Sequence, residues 1–466
     1  MEIAQLKELL QRSKSEQDEL RNRYRISKQY YQSKTKITAR RTPNSVKDDN
    51  PLRRANNAVG SNFHQLLVDQ EAGYLATVAP TIDVGSDRDN DTVAEILGDT
   101  FNTTLKRQVV EASNAGVAWL HYWIDDDNNF RYSTVPPDQI YAIFDTKLDN
   151  KILGVLRSYK HFDDETGAYV NAYEYWTEKQ AEFFKESAND QNVIVPWDRV
   201  TSYDASSMLM TGSGNVLTHN FGRVPFIAFP KNDYWQDELH KYKGLIDSYD
   251  DVFNGFINDV DDIQQVFLVL KNFGGQDLGS FMQELQNYKA IQVDNLGSGD
   301  NSGVDKLQID IPVEARQTLL QIIRDDIFLY GQGIDPSNFQ SSNASGVAIK
   351  MLYSHLELKA SNTQTQFDHA IRELVRAIMD YKGLTDVDGR KIAINWRRTM
   401  VEDNLAKAQA VATLANFTSE ETIAKNNPLV DDWQDELKAK KDDLQQSDGF
   451  KSEQTFKDDE SDRVDE

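Results

Sequence analysis

The stretch from Leu245 to Tyr381 constrains the fold more than any other part of this chain. Tyr249, Val252, Phe253, Phe256, Ile257, Val260, Ile263, Phe267 and Leu270 recur mostly three or four apart, the spacing of one helical face. This predicts one amphipathic helix of about seven turns, stopped at Gly274-Gly275. Residues 274–312 then read as a small α/β insertion. It has a short helix near Phe281–Leu285, a strand Ala290–Val293, a glycine-rich turn and a strand Lys306–Ile311. Pro312 opens a second helix at its first position, where proline is tolerated, and Leu319, Leu320, Ile323 and Ile327 carry it to Tyr330. A loop of small polar residues follows from Gly331, and Ser345 is placed to cap a third long helix, Gly346–Tyr381. Two long helices around a compact insertion describe a stalk with a protruding tip.

The N-terminal half is organised differently. Ile3, Leu6, Leu9 and Leu10 start a helix whose pattern weakens through Tyr24, Tyr30 and Tyr31. Lys34 to Arg54 is basic, contains Pro43 and Pro51, and reads as a loop or extended arm. A second helix around Phe63–Leu75 stops before Pro80, and a third runs from Thr92 to Ala115. At Gly116 the period changes to two. Strands are predicted at Val117–Ile124, Phe130–Val135, Ile140–Phe144, Ile152–Tyr159, Tyr169–Trp176 and Ala181–Lys185. Residues 116–232 therefore form a mainly antiparallel domain ending at Pro225–Pro230. A strand at Lys391–Trp396, further helices and an acidic tail close the chain, giving an α+β protein.

Composition removes several function classes. The 466 residues hold no cysteine, which excludes disulfide scaffolds, thiol nucleophiles and Cys-ligated zinc. No apolar run is long enough to span a bilayer, and the N-terminus does not read as a signal peptide, so no membrane contact is expected. The formal charge of −24 argues against tight wrapping of nucleic acid.

Motifs for chemistry are sparse. There is no P-loop and no His pair at metal-binding spacing. Gly297 to Gly303 lies between predicted strands and opens no helix, so it reads as a hairpin turn. Asp125, Asp127 and Asn129 imitate the start of a calcium loop, but the closing glutamate position is Pro136, so a turn is expected. Asp247, Asp250, Asp251, Asp259, Asp261 and Asp262 crowd one helix, and a solvated acidic face is the plain expectation. No catalytic residue, metal or cofactor is assigned.

Several segments, taken in order, resemble the portal proteins of tailed bacteriophages, of the siphophage type that infects Gram-positive bacteria. They are Asn57–Leu75, Ala115–Tyr122 leading to Val135–Tyr141, Gly244–Asp250, Ser345–Lys350, Ile392–Trp396 and Pro428–Trp433. The resemblance implies a portal fold and a ring, usually of twelve subunits, at one capsid vertex. It assigns an N-terminal helix to 1–33, a wing to 34–243, stem helices to 244–271 and 313–332, and a clip to 272–312. A tunnel loop falls at 333–345, a channel-to-wing helix at 346–383, a wing strand at 384–400, crown helices at 401–440 and an acidic tail at 441–466. Implied partners are further copies of the chain, the large terminase subunit, major capsid and scaffolding proteins, head-completion adaptors and double-stranded DNA. The protein would be assembled in the host bacterial cytoplasm and reside in the virion.

Within that frame Phe256 and Ile263 are candidates for the subunit seam, and Gly297, Ser298, Asp300 and Gly303 for the motor-binding clip. Asn338, Gln340 and Asn343 offer weak, reversible DNA contacts in the tunnel loop. Phe339 either tucks against the stem or contributes to an aromatic constriction. Two other readings stay open: an acidic adaptor for basic proteins, and a metal-dependent phosphoryl-transfer enzyme using the aspartate-rich helix.

Overall fold

The computed structural model describes residues 1–40, 55–125, 127–148, 151–164, 166–187, 190–198, 210–263, 267–271, 303–307, 312–337, 346–398 and short stretches between 409 and 440. Its contacts divide the chain into two units, Met1–Gln340 with Tyr353–Thr399, and Ser341–Leu352 with Met400–Glu466. The fold is α+β.

The first unit begins with α1 (Ile3–Tyr31). Its buried stripe is Leu6, Ser13, Gln17, Tyr24, Ser27 and Tyr30, so polar residues carry much of the helical period. Gln17 donates to Ser13 Oγ at 2.7 Å and Ser13 donates to the Leu10 carbonyl at 3.3 Å, which keeps these buried groups satisfied. A 3-10 turn, Lys36–Arg40, starts the segment expected to be an arm, and 41–54 lie outside the described residues. Then come α2 (Phe63–Ala76) and β1 (Thr81–Asp83). The single helix expected over Thr92–Ala115 is two, α3 (Asp87–Leu97) and α4 (Phe101–Ala115). Gly98 takes φ +62° between them, a left-handed conformation that terminates a helix. Gly116 ends α4 at φ +88°, and a Cβ there would lie 2.0 Å from the Trp235 carbonyl oxygen.

Ten strands follow among the described residues from 117 to 230: β2 (Val117–Ile124), β3 (Phe130–Val135), β4 (Ile140–Phe144), β5 (Ile152–Asp163), β6 (Ala168–Trp176), β7 (Gln180–Ser187), β8 (Asp190–Pro196), β9 (Met210–Ser213), β10 (Val216–His219) and β11 (Phe226–Pro230). One sheet runs β11-β2-β3. The larger runs β4-β5-β6-β7-β10-β9, with β8 also on β7. All pairings are antiparallel. The first turns of α1 close the larger sheet, where Leu6 packs with Leu156, Tyr173, Phe184 and Ile194.

The stalk differs from expectation at one point. α5 (Lys243–Ile263) ends two turns early, and Phe267–Lys271 is β12, antiparallel to β13 (Gly303–Leu307). Phe267-Leu-Val-Leu270 is a continuous apolar run, and periodicity cannot separate a short strand of that kind from a helix. The expected helix near Phe281 and strand Ala290–Val293 lie outside the described residues. α6 (Val313–Tyr330) and the 36-residue α7 (Gly346–Tyr381) fall where expected, with Pro312 just before α6 rather than inside it. β14 (Ala393–Asn395) pairs with β1, joining residues over 300 apart in sequence. One core binds α1, α2, α5 and α6 through Tyr30, Phe63, Leu67, Tyr242, Ile246, Ile323, Ile327 and Phe328. In the second unit α8 (Glu420–Asn426) is capped by Ser419, whose side chain accepts from the Thr422 N–H.

Candidate functional site

The loop after α6 leaves from a fixed root. Ile327 and Phe328 are buried, and Gly331 and Gly333 press against Leu67 of α2. A Cβ at Gly333 would lie 2.1 Å from Leu67 Cδ2. Ile334 N–H donates to Gln70 Oε1 at 2.9 Å, and Gln70 Nε2 donates back to the Ile334 carbonyl at 2.7 Å. This side chain thus mimics a strand pairing. Asp335 accepts from Arg324 Nε at 2.6 Å and from its other arm at 2.7 Å, and also from the Ser337 N–H at 2.8 Å. The Arg324 bonds, more than any other contact, hold the Asp335 carboxyl down to about 2. The tunnel-loop candidates Asn338, Phe339, Gln340 and Asn343 lie just past this root, outside the described residues.

A buried cluster of four charges ties the root to α7. Glu71 of α2, Lys231 after β11, Glu238 before α5 and Lys359 of α7 are each 3 % exposed or less. Lys231 pairs with Glu71 and lies 3.7 Å from Glu238. Lys359 lies 3.3 Å from Glu71 and 3.4 Å from Glu238, and donates to the Gly331 carbonyl at 3.2 Å. Thr363 donates to Glu71 at 2.7 Å and accepts from Lys231 at 3.1 Å. Burial pushes both carboxyls up, but the two ammonium groups outweigh it and hold them below the usual range. Burial pulls Lys231 down, whereas the two carboxylates outweigh burial at Lys359 and raise it. We take all four as charged, because each ion has at least two opposite partners, Glu238 having a third in the more exposed Lys241 at 3.0 Å. Sequence reading missed this cluster, although one signal existed. Glu71 and Lys359 sit inside apolar stripes, between Leu67, Val68 and Leu75, and between Leu356, Ala360 and Phe367.

The acidic face of α5 is not simply solvated, and this corrects the plain expectation. Asp247 accepts from Tyr30 and Lys243, and Asp250 from Thr35 and the Ser61 N–H. Asn254 brackets Val59, taking its N–H at 2.7 Å and giving to its carbonyl at 2.8 Å. Asn258 accepts from the Asn57 N–H at 2.7 Å, and Asp261 from the Asn57 side chain at 2.7 Å. Residues 57–61 are thereby strapped along successive turns of α5. Asp259 pairs with Arg316 of α6 at 2.5 Å, an arginine partner that sequence reading did not place. The same guanidinium covers the half-buried ring of Phe256 at 5.6 Å. Ile263 ends α5, and its side chain is outside the described set. Gly303 opens β13 opposite Lys271, while Gly297, Ser298 and Asp300 are not among the described residues.

Asp125 closes the β2–β3 turn by accepting from the Asp127 and Asn129 N–H groups and pairing with Arg131 at 2.7 Å, as turn chemistry predicts. Among the described residues no group of three His, Asp or Glu side chains is placed to hold a metal. No described helix is long and apolar enough to cross a membrane.

Comparison with known proteins fits this architecture. Residues 10–449 match the family described as phage portal protein, SPP1 Gp6-like. The chain is 34% identical over 423 residues to the portal protein of Clostridium phage phiCD119, covering 87% of this chain and 89% of that one. It is 27% identical over 392 residues to the portal protein of Bacillus phage SPP1, covering 82% and 75%. Among solved structures it is similar to the neck of an empty gene transfer agent particle computed with C6 symmetry, at TM-score 0.44, 11% identity and coverage of 78% and 88%. It is also similar to the neck of the native particle computed with C12 symmetry, at TM-score 0.42, 11% identity and coverage of 79% and 90%. With a family match over residues 10–449 and 34% identity to a portal protein over 423 residues, the chain belongs to the phage portal protein family, SPP1 Gp6-like.

Proposed function

We propose that twelve copies of this chain close into a ring at one vertex of the phage head, and that double-stranded DNA enters and leaves through its channel. The family match over residues 10–449 carries this reading. In it α5 and α6 form the stem, the segment between them the clip, and residues 333–345 the tunnel loop. The clip, with Gly297, Ser298, Asp300 and Gly303, docks the large terminase subunit during packaging and head-completion adaptors afterwards. Capsid and scaffolding proteins meet the ring from the head side.

The anchored root supports the loop assignment. A segment that touches moving DNA must flex at its tip without tearing from the stem. Gln70, Arg324 and the Leu67 contact provide that fixed end. Charge supports the conduit as well. Lysine and arginine contacts grip phosphates by counterion release, whereas a chain of formal charge −24 lets the duplex slide. The ring works without chemistry of its own. Of the α5 carboxylates that a phosphoryl-transfer site would need, Asp247, Asp250, Asp261 and Asp259 are engaged by Tyr30, Thr35, Asn57 and Arg316.

The test is Phe339→Ala in the phage, scored for DNA retained in filled heads. Normal ring assembly with lost retention supports an aromatic constriction at the loop. Impaired assembly assigns Phe339 to packing, and normal assembly, packaging and retention remove it from both roles.

A further inference from the structure

β11 is an end strand of its sheet. It pairs with β2 on one side and, among the described residues, carries no strand on the other. Its register to β2 runs from Phe226 opposite His121 to Pro230 opposite Val117 without a shift. Just past the two ends, the Tyr122 N–H donates to the Pro225 carbonyl at 3.2 Å and the Lys231 N–H to the Gly116 carbonyl at 2.8 Å. In an antiparallel ladder such bonded pairs recur at every second residue. Ile227 and Phe229 therefore turn their N–H and C=O groups toward β2, and Phe226, Ala228 and Pro230 turn theirs to the open side.

That open edge is rich in acceptors. The Phe226 N–H closes back on the Val224 carbonyl at 2.8 Å, and Pro230 has no N–H to show. What is left is three carbonyls and the Ala228 N–H, and among the described residues no hydrogen bond reaches them from that side. Ala228 and Pro230 are also the two partly exposed residues of a strand that is otherwise buried. A proline whose nitrogen faces the open side gives up no ladder bond, as suits an edge strand.

A cavity of about 420 Å³ follows the same edge, lined by β11 residues from both of its faces. That volume is within the roughly 300–1,000 Å³ typical of ligand pockets. One wall is Phe144 and Ile152 of the β4–β5 hairpin with Trp235, which meets Phe144 edge to face at 5.5 Å. The other is α7, with Gln366, His369 and Glu373. The walls stand on opposite faces of β11. The Phe226 ring lies 5.8 Å from Trp176 of the larger sheet, and the Phe229 ring 5.0 Å from Phe367 of α7. Glu373 is held by Arg223 at 3.3 Å and Arg376 at 2.8 Å, so the α7 wall is polar with its carboxylate already paired.

We propose that β11 accepts an extended segment of a partner protein as an added strand, one in which apolar and polar side chains alternate. Ala228 exchanges both main-chain groups with the incoming strand, and the Phe226 and Pro230 carbonyls accept two further N–H groups. The apolar side chains lie against Phe144, Ile152 and Trp235, and the polar ones between them lie along α7. Main-chain bonds supply the affinity, and the two unlike walls decide which face of the segment turns which way. The ring assembly proposed above is not needed for this, because edge and walls belong to one chain.

The test uses the full chain and a fluorescein-labelled Lys-Thr-Val-Thr-Val-Thr-Val-Lys peptide, read by anisotropy. Two further peptides are N-methylated, one at every valine and one at every threonine. Alternate residues of a strand point their N–H groups to opposite edges, so one of the two should lose roughly 10-fold or more in affinity and the other should bind like the parent. Ala228→Pro removes the outward N–H and should weaken the parent peptide roughly 3–10-fold while the ladder to β2 stays intact. In the unaltered chain, bound peptide should slow amide exchange at Ala228 and leave Ile227 and Phe229, already bonded to β2, unchanged. Absence of binding, an equal response to both N-methylated peptides, or unaltered exchange at Ala228 overturns the proposal. Binding to the monomer that vanishes in the ring also overturns it, because a neighbouring copy then covers the edge. Failure of the chain to form rings, with peptide binding intact, refutes only the ring.

Discussion

Replacing Lys359 with methionine keeps the length and apolar stem of the side chain and removes one of four buried charges. Glu71 then keeps Lys231 alone, Glu238 keeps Lys231 and the more exposed Lys241 at 3.0 Å, and the Gly331 carbonyl loses its donor. Breaking one partner of a buried pair typically costs about 3–5 kcal/mol. At roughly 2–4 °C per kcal/mol for a cooperative unit of 150–250 residues, the first thermal transition should fall by roughly 6–20 °C. The pH dependence should flatten. In the parent protein both carboxyls sit below their ordinary value, so their stabilisation is present above about pH 4.5 and fades as pH falls. In Lys359→Met each carboxyl loses one cation, Glu71 keeping only Lys231, so burial weighs more and both move up from their parent position. The penalty should then grow as pH rises from about 4.5 and shrink in acid. Adding Glu71→Gln removes the carboxylate that has only one cation left, leaves Glu238 with Lys231 and Lys241, and should recover most of the loss. Calorimetry between pH 4 and 8 reads the parent and both variants. A single-variant loss under about 1 kcal/mol, or an unchanged pH slope, would refute the idea that these charges act as a paired set.

Other outcomes follow from the same contacts. Burial holds His64, His121 and His219 down to about 4, below the ordinary 6.5. They bind protons more readily unfolded, so the urea midpoint should decline between pH 6.5 and 4, and His64→Gln should flatten part of that slope. Gln70→Ala should speed amide exchange at Ile334 while leaving α6 protected, since it removes both bonds to that residue. If Phe256 lies at the subunit seam, Phe256→Asp should yield smaller species by mass photometry with helical circular dichroism retained. Full rings would confine Phe256 to its contact beneath Arg316.

The sequence was most legible where burial follows a simple period. α2, α6, α7 and strands β2 to β4 lie close to where apolar spacing put them. Reading failed where other forces set the pattern. α1 continues to Tyr31 because Ser13, Gln17 and Ser27 occupy its buried stripe, and polar residues carry no hydrophobic signal. One left-handed glycine, Gly98, divided a helix whose periodicity ran on. Phe267–Lys271 became a strand because a partner waited in β13, information that is not local. The loop root was only half visible. Its composition marked a loop, but Gln70 is 264 positions from Ile334 and its bond could not be read. The four-charge cluster draws on three separated regions for the same reason, and the α5 carboxylates looked solvated because their partners Tyr30, Thr35 and Asn57 lie about 200 residues away.

The central claim is the closed ring, and mass photometry of the purified full chain across a concentration series tests it most directly. Twelve chains of 53.2 kDa predict one discrete species near 640 kDa that does not grow with concentration, as a closed cyclic contact requires. Negative-stain images of that species should show a central channel. Monomers and dimers at every concentration, or filaments that lengthen without limit, would contradict the account.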